Sequence, residues 1–223
     1  MRVFQCLSLV AVAFSISAAQ ASVIVTFREG ANSYSGTQDA EVDSGSPDAT
    51  SGGSTTFALK RDAAEHAYIR FDSIFGNGVG QIPAWVTGDD IVSATLQIER
   101  DSGSNTPVRA FQLASDWAES TITWNNQPGG GTQVASNSAG NPQVLNVTAS
   151  LKAWADGTAN YGWRLDAGSS GGNRGVYASS EYGTLADRPL LTVEFVPEPA
   201  TAVLLVAGGL MIAYKPRRGV RSH

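Results

Sequence analysis

The sequence predicts an all-β fold, a jelly-roll β-sandwich with one short helix. Three observations carry this prediction: short stretches alternate apolar with polar residues, turn residues interrupt them every ten residues or so, and one segment has helical spacing. In HAYIRFD (66–72) the alanine, isoleucine and phenylalanine share one face, and the polar residues share the other. This regular spacing of short strands favours a sandwich over a barrel.

The remaining elements follow the same signals. Strands are predicted at 22–27, 92–100, 107–113, 162–166, 175–180 and 189–195. Residues 44–54 are rich in Gly, Ser and Asp, which predicts a loop. A single helix is predicted within 145–157, where Val147, Leu151 and Trp154 recur at helical spacing. Thr148 is the predicted N-cap of this helix and Gly157 its stop.

The first 21 residues have the pattern of a secretory signal peptide. Arg2 precedes an apolar stretch, and the small residues Ala19 and Ala21 form a site for signal peptidase. Cys6, the only cysteine, lies inside this segment. The mature chain, residues 22–196, is therefore expected to fold without disulfides, on an ordinary apolar core. A retained N-terminal transmembrane helix is the alternative.

The charge of this predicted domain argues against some partners. Residues 22–196 contain all of the 20 acidic residues except Glu198, but only ten of the 15 basic ones, so their formal charge is about −9. Nucleic acids and anionic membranes attract basic proteins, so no nucleic-acid partner is expected.

The C-terminal end predicts a marginal membrane segment. Residues 200–214 form an apolar stretch that is followed by the basic tail 215–223. As a helix, this stretch would measure about 22 Å, whereas the hydrocarbon core of a bilayer measures about 30 Å. Such a short span suits a transient anchor, with the arginines on the cytoplasmic side and the acidic domain outside. A permanent single-pass anchor is the alternative.

Catalytic signatures are sparse. A nucleophilic triad needs a histidine beside a nucleophile, and the predicted domain contains only His66, which we interpret as a surface residue. No pattern of zinc ligands is present in the sequence. Carboxylates are abundant, but abundance alone does not single out the pair that glycoside hydrolysis requires. The oxygen-rich stretch 37–48 could hold a structural calcium ion, and no other cofactor is expected.

Polysaccharide binding requires aromatic faces, planar polar groups and, for acidic polymers, basic side chains. Outward-facing residues of these types are the candidate glycan-binding residues: Lys60, Arg61, Tyr68, Arg70, Arg100 and Arg164. Tyr68 and Arg70 are predicted to lie on the same face of one strand, so they should point together.

Three phrases together resemble the DNRLRE-type domain, a jelly-roll module of secreted bacterial and archaeal proteins. They are AYIRFDSI with IVSATLQI; ASDWAESTITWNNQPG (114–129); and LNVTASLKAWADGTANYGWRLD with VYASSEYGTLADRPLLTVEF. The resemblance covers most of 24–195, and the module is related to disaggregatase-associated domains and to a family of carbohydrate-binding modules. It implies structural roles for Trp117, Glu119, Thr121, Trp124 and Asn125. The segment 75–90 is longer than is usual in that family.

The C-terminal segment 197–223 resembles the PEP-CTERM sorting signal. The matching parts are Pro197, Glu198 and Pro199, then the apolar stretch, then the basic tail with Arg217 and Arg218. This resemblance implies processing by an exosortase in a bacterium that makes extracellular polysaccharide. We therefore expect a protein that is secreted or at the cell surface and anchored transiently through 200–214.

The expected function is non-enzymatic polysaccharide binding in the cell envelope or extracellular matrix. Two alternatives remain open at this point. One is a polysaccharide hydrolase or lyase, although the sequence contains no second, catalytic domain. The other is a purely structural surface protein without a ligand.

Overall fold

The structure is a computed structural model that describes residues 21–60, 64–138, 140–168 and 173–197. The predicted signal peptide and sorting segment lie outside these ranges, except for Ala21 and Pro197 at their borders. Arg61 also lies outside them. Within the described residues, no helix is both long enough and apolar enough to cross a membrane.

The described residues form fourteen strands and one α-helix. The strands are β1 (Val23–Phe27), β2 (Thr37–Asp43), β3 (Thr56–Lys60), β4 (Glu65–Phe71), β5 (Phe75–Gly76), β6 (Ile82–Pro83), β7 (Ile91–Ile98), β8 (Arg100–Gly103), β9 (Val108–Gln112), β10 (Thr132–Ser136), β11 (Gln143–Asn146), β12 (Trp163–Ala167), β13 (Arg174–Ala178) and β14 (Leu190–Phe195). The helix is α1 (Thr148–Ala155), and a 3-10 turn covers Leu185–Asp187.

Two antiparallel sheets make a β-sandwich. The smaller sheet has the order β1-β14-β7-β11, and the larger has the order β10-β9-β12-β4-β3-β13-β8, with β2 pairing with β4. The long segment between β4 and β7 contains only the short parallel pair β5-β6. The predicted all-β sandwich with one short helix is thus confirmed for the described residues.

The core lies between the two sheets and takes one face of each strand. Leu96 and Val193 enter it from the smaller sheet, and Ile69 and Leu165 enter it from the larger, all fully buried. Because side chains alternate along a strand, the apolar residues that the sequence places on one face form a continuous core. Burial of these apolar side chains is the main favourable contribution to folding.

Helix α1 closes one end of this core. Trp154 of α1 packs its ring 4.7 Å from the ring of Trp163, whose Nε1 donates a hydrogen bond of 2.9 Å to the Ser150 hydroxyl. The predicted helix is present, but the predicted N-cap is wrong, because Val147 occupies that position. The Thr148 hydroxyl instead accepts a hydrogen bond of 2.9 Å from the Ala94 amide, which ties α1 to β7.

Candidate functional site

The outer face of the larger sheet is partly covered by the segment 113–128, which contains the phrase DWAESTITWNNQ. A second apolar cluster forms beneath this segment, and it is separate from the main core. Its buried members are Ala40, Val42, Tyr68, Leu113, Trp117 and Ile122. The segment therefore acts as a cover over part of β2 and β4.

Aromatic residues of this cover are in contact with β4 and its neighbours. The Trp117 ring lies 5.6 Å from the Tyr68 ring, and its Nε1 donates a hydrogen bond of 2.9 Å to the Tyr161 carbonyl. Trp124 stacks on His66 at 5.2 Å, with the two planes only 14° apart. Both tryptophan rings are thus in contact with other residues of the domain and contribute to its packing.

The polar residues of the same phrase bond to neighbouring segments. Glu119 accepts a hydrogen bond of 3.0 Å from the Asp39 amide. Asn125 donates from its side chain to Asp48 at 2.7 Å and from its backbone to the Pro47 carbonyl at 3.1 Å. The Thr121 side chain is exposed and reaches only the Ala118 carbonyl, at 3.4 Å. These contacts fasten the cover to β2 and to the loop that follows it.

The cover buries two of the candidate glycan-binding residues. Tyr68 and Arg70 do share the outer face of β4, but Tyr68 is completely buried and its hydroxyl donates to Gln127, at 2.9 Å. The Arg70 guanidinium lies over the Trp117 ring and forms ion pairs with Asp72, at 2.8 Å, and Asp116, at 2.5 Å. Neither side chain presents an open surface to a ligand.

The expectation of a surface position for His66 is wrong, because only 5% of this residue is exposed. Burial lowers the pKa of His66 to about 4, and the positive charges of Arg164 and Arg109 add to this effect. The imidazole is therefore neutral at physiological pH.

The other candidate cations do not meet at one place. Lys60 ends β3 and is half-buried. Arg100 donates from its Nη1 to the carbonyl of Gly103 in its own strand, at 2.8 Å. Arg164, in contrast, lies at the centre of the larger sheet, where β12 runs between β4 and β9.

Arg164 belongs to a charged and aromatic surface that we call the arginine patch, formed by Arg109, Phe111, Arg164 and Asp166. Phe111 lies directly opposite Arg164 across β9 and β12, and Arg109 lies opposite Asp166. The two guanidinium carbons lie 4.6 Å (Arg164) and 5.5 Å (Arg109) from the centre of the Phe111 ring. Such distances are those of cation–π contacts.

One buried carboxylate orients both arginines. Asp166 is 2% exposed, and its two oxygens accept from Arg109 Nε at 2.7 Å and from Arg164 Nη2 at 3.2 Å. Two positive charges thus share one negative charge, so the arginine patch retains a net positive charge. The guanidinium nitrogens that do not bind Asp166 are donors suited to carboxylate or sulfate oxygens.

Arg109 and Phe111 are not among the residues nominated from the sequence. The signal that could have found them is the alternation in PVRAFQL (107–113), which puts Val108 and Ala110 in the core. The same alternation puts Arg109 and Phe111 on the outer face. The pairing of β9 with β12, which brings them to Arg164, is not visible in the sequence.

A group of three carboxylates lies elsewhere, formed by Asp39, Glu119 and Glu181. Their ligand oxygens lie within 4.8 Å of one another. Burial raises the pKa of Asp39 to about 8, although hydrogen bonds from Ser180 act in the opposite direction. The predicted calcium ion in 37–48 remains a prediction, because three neighbouring carboxylates also occur without a metal.

These observations define a class of protein: a β-sandwich module that presents arginines and an aromatic ring on an outer sheet face. The model of carbohydrate-binding module family 96 matches residues 31–195, more than half of the chain. The chain therefore belongs to carbohydrate-binding module family 96. No curated protein matches the chain.

Proposed function

We propose that this protein binds polysaccharides that carry carboxylate or sulfate groups, through the arginine patch. The observation that carries the proposal is the pair of guanidinium groups held over one aromatic ring by one buried carboxylate. Membership of a family of carbohydrate-binding modules supports the choice of ligand class. The arginines would bind the acidic groups of the sugar, and Phe111 would hold the two guanidinium groups in place through its ring.

The predicted domain is acidic overall, so attraction to an acidic polymer would be confined to the arginine patch. At physiological ionic strength the Debye length is about 8 Å, and charges beyond this distance act weakly. Binding would then depend on short, charge-assisted hydrogen bonds rather than on long-range attraction.

The remaining parts of the proposal concern sorting. Signal peptidase would remove residues 1–21, and an exosortase would process 197–223 while 200–214 holds the chain transiently in the membrane. The mature domain 22–196, a jelly roll of the DNRLRE type, would then act without catalysis at the cell surface or in the extracellular matrix. The two terminal sequence patterns support this part, together with the ligand class of the family.

A glycan array tests the binding proposal and its enzymatic alternative together. The secreted protein is expected to bind polymers rich in uronate or sulfate and to leave them intact. Binding to no polymer would favour a structural protein without a ligand. Release of reducing ends or of unsaturated uronates would instead identify a hydrolase or a lyase.

Mass spectrometry of the secreted protein tests the sorting proposal. The secreted form is expected to begin at Ser22 and to lack the residues that follow Pro199, because both terminal segments would be removed. Secreted protein that still ends at His223 would contradict processing by an exosortase. A Pro197→Ala/Pro199→Ala variant, which changes only the tripeptide, should remain associated with membranes.

A further inference from the structure

A cavity of about 730 Å³ lies at the free edge of β1, away from the residues of the arginine patch. Its walls are β1 (24–27), the loop 32–36, the turn 72–73 and the loop 78–81. Within the described residues, β1 pairs only with β14 and is therefore an edge strand of the smaller sheet. We call it the β1 cavity.

The backbone around the β1 cavity is unusual. Asn32, Ser33 and Ser73 have φ angles of 51°, 62° and 54°, and they are the only non-glycine residues with positive φ in the part of the chain that the structure describes. All three line the β1 cavity. Residues in this left-handed conformation are uncommon, and strained conformations concentrate at ligand-binding sites.

Side chains hold the walls of the β1 cavity in place. Gln81 accepts a hydrogen bond of 2.7 Å from the Gly78 amide and donates one of 2.7 Å to the Ser73 carbonyl. The Tyr34 hydroxyl donates to the Asp72 carbonyl at 2.9 Å, and the Tyr34 ring packs 5.3 Å from that of Phe27. The walls are therefore tied together before a ligand arrives, which reduces the entropic cost of binding.

The chemistry of the lining indicates a neutral, hydroxyl-rich ligand. The residues that line the β1 cavity combine apolar residues of β1 with hydroxyl-bearing residues, Asn32, Gln81 and Tyr34, and they include no lysine or arginine. Its single charged residue, Asp72, is paired with Arg70 at 2.8 Å, so the lining offers no free cation to bind a uronate. Sites for small ligands have volumes of about 300–1,000 Å³, a range that includes the β1 cavity.

We infer that the β1 cavity is a second carbohydrate site, selective for neutral oligosaccharides. The inference rests on the proposed function only in taking carbohydrate as the ligand class. The amide of Asn32 and the hydroxyls of Ser33 and Ser73 bond to sugar hydroxyls, and the Tyr34 ring contacts an apolar sugar face. The two sites thus select sugars by charge, the arginine patch acidic ones and the β1 cavity neutral ones.

Calorimetric titration of the full-length protein in a zwitterionic, sugar-free detergent tests this inference. The probes are cellotetraose, xylotetraose and mannotetraose, with tetragalacturonate as the acidic probe. The test variant is Asn32→Gly/Ser33→Gly/Ser73→Gly, because glycine keeps the positive φ angles without strain and removes only the side chains. The variant should bind the preferred neutral tetrasaccharide about tenfold more weakly or worse.

Two controls keep the result specific. Ser44→Gly, an exposed serine outside the β1 cavity, should bind as the wild type does. Arg109→Gln/Arg164→Gln/Asp166→Asn should retain neutral binding and lose acidic binding. Failure of all three neutral probes, or equal binding by the glycine variant, would overturn the inference. If a neutral tetrasaccharide binds and tetragalacturonate does not, the β1 cavity stands and the arginine patch is not a site for this uronate.

Discussion

The variant Arg109→Gln/Arg164→Gln/Asp166→Asn is expected to lose binding to acidic polysaccharide by at least about tenfold. Each arginine would contribute charge-assisted hydrogen bonds to the ligand, and such bonds are stronger than neutral ones. Replacing Asp166 at the same time matters, because this buried carboxylate would otherwise lose both of its ion-pair partners. Calorimetric titration with an oligouronate measures the loss.

The single variant Asp166→Asn tests the effect of the net charge of the arginine patch on binding while both arginines are present. It removes the shared carboxylate charge, retains both arginines and keeps one acceptor oxygen that can orient Arg109, so the net positive charge of the patch rises. We therefore expect binding to acidic polymers that is at least as tight as in the wild type.

The control for the triple variant is Lys152→Gln, on the exposed side of α1. It changes the net charge by the same amount as the triple variant and should leave binding unchanged. Wild-type affinity in the triple variant would contradict the assignment of the arginine patch.

The second large effect is expected for Asp39→Asn, on the dependence of stability on pH. The pKa of Asp39 is raised from its ordinary value of 3.8 to about 8, chiefly by burial. Between these values the folded protein binds a proton that the unfolded chain has released, so stability falls as pH rises from about 4 to 8. One pKa unit corresponds to about 1.4 kcal/mol, so we expect the free energy of unfolding to fall by about a few kcal/mol over this pH range.

Asparagine at position 39 removes this ionisation and retains the acceptor for the Ser180 amide, which lies 2.7 Å from Asp39 Oδ2. The variant should therefore gain stability relative to the wild type as pH rises from 4 to 8, with little further gain above 8. Denaturant unfolding at pH 4.5 and pH 9 measures the difference, with Asp89→Asn as an exposed control. A difference in stability that stays constant across this range would show that Asp39 ionises normally.

Much of the fold could be predicted from the sequence, because alternation along a strand reflects the face that each residue presents to the core. The strand at 66–72 and the helix within 145–157 are both present in the structure. The alternation also puts Tyr68 and Arg70 on the same face. It does not reveal that Trp117, far away in sequence, covers that face, since such coverage depends on how distant segments pack.

The sites were harder to predict for the same reason. Arg109, Phe111 and Arg164 meet only because β9 pairs with β12, and their separation in sequence gives no sign of this pairing. Asp39 and Glu119 lie 80 positions apart, and the Asp39 amide donates a hydrogen bond to the Glu119 carboxylate. Glycan binding by Arg164 stays a prediction. The structure adds the neighbours of Arg164, which are Phe111 and Asp166.

The central claim is that this domain binds acidic polysaccharide through the arginine patch, and affinity electrophoresis tests it most directly. Wild-type protein runs through native gels cast with and without an acidic polymer, beside Asp166→Asn and the triple variant. We predict retardation of the wild type and of Asp166→Asn in the polymer gel, and unchanged mobility of the triple variant. Equal mobility of the wild type in both gels, for uronate and sulfated polymers alike, would contradict the claim.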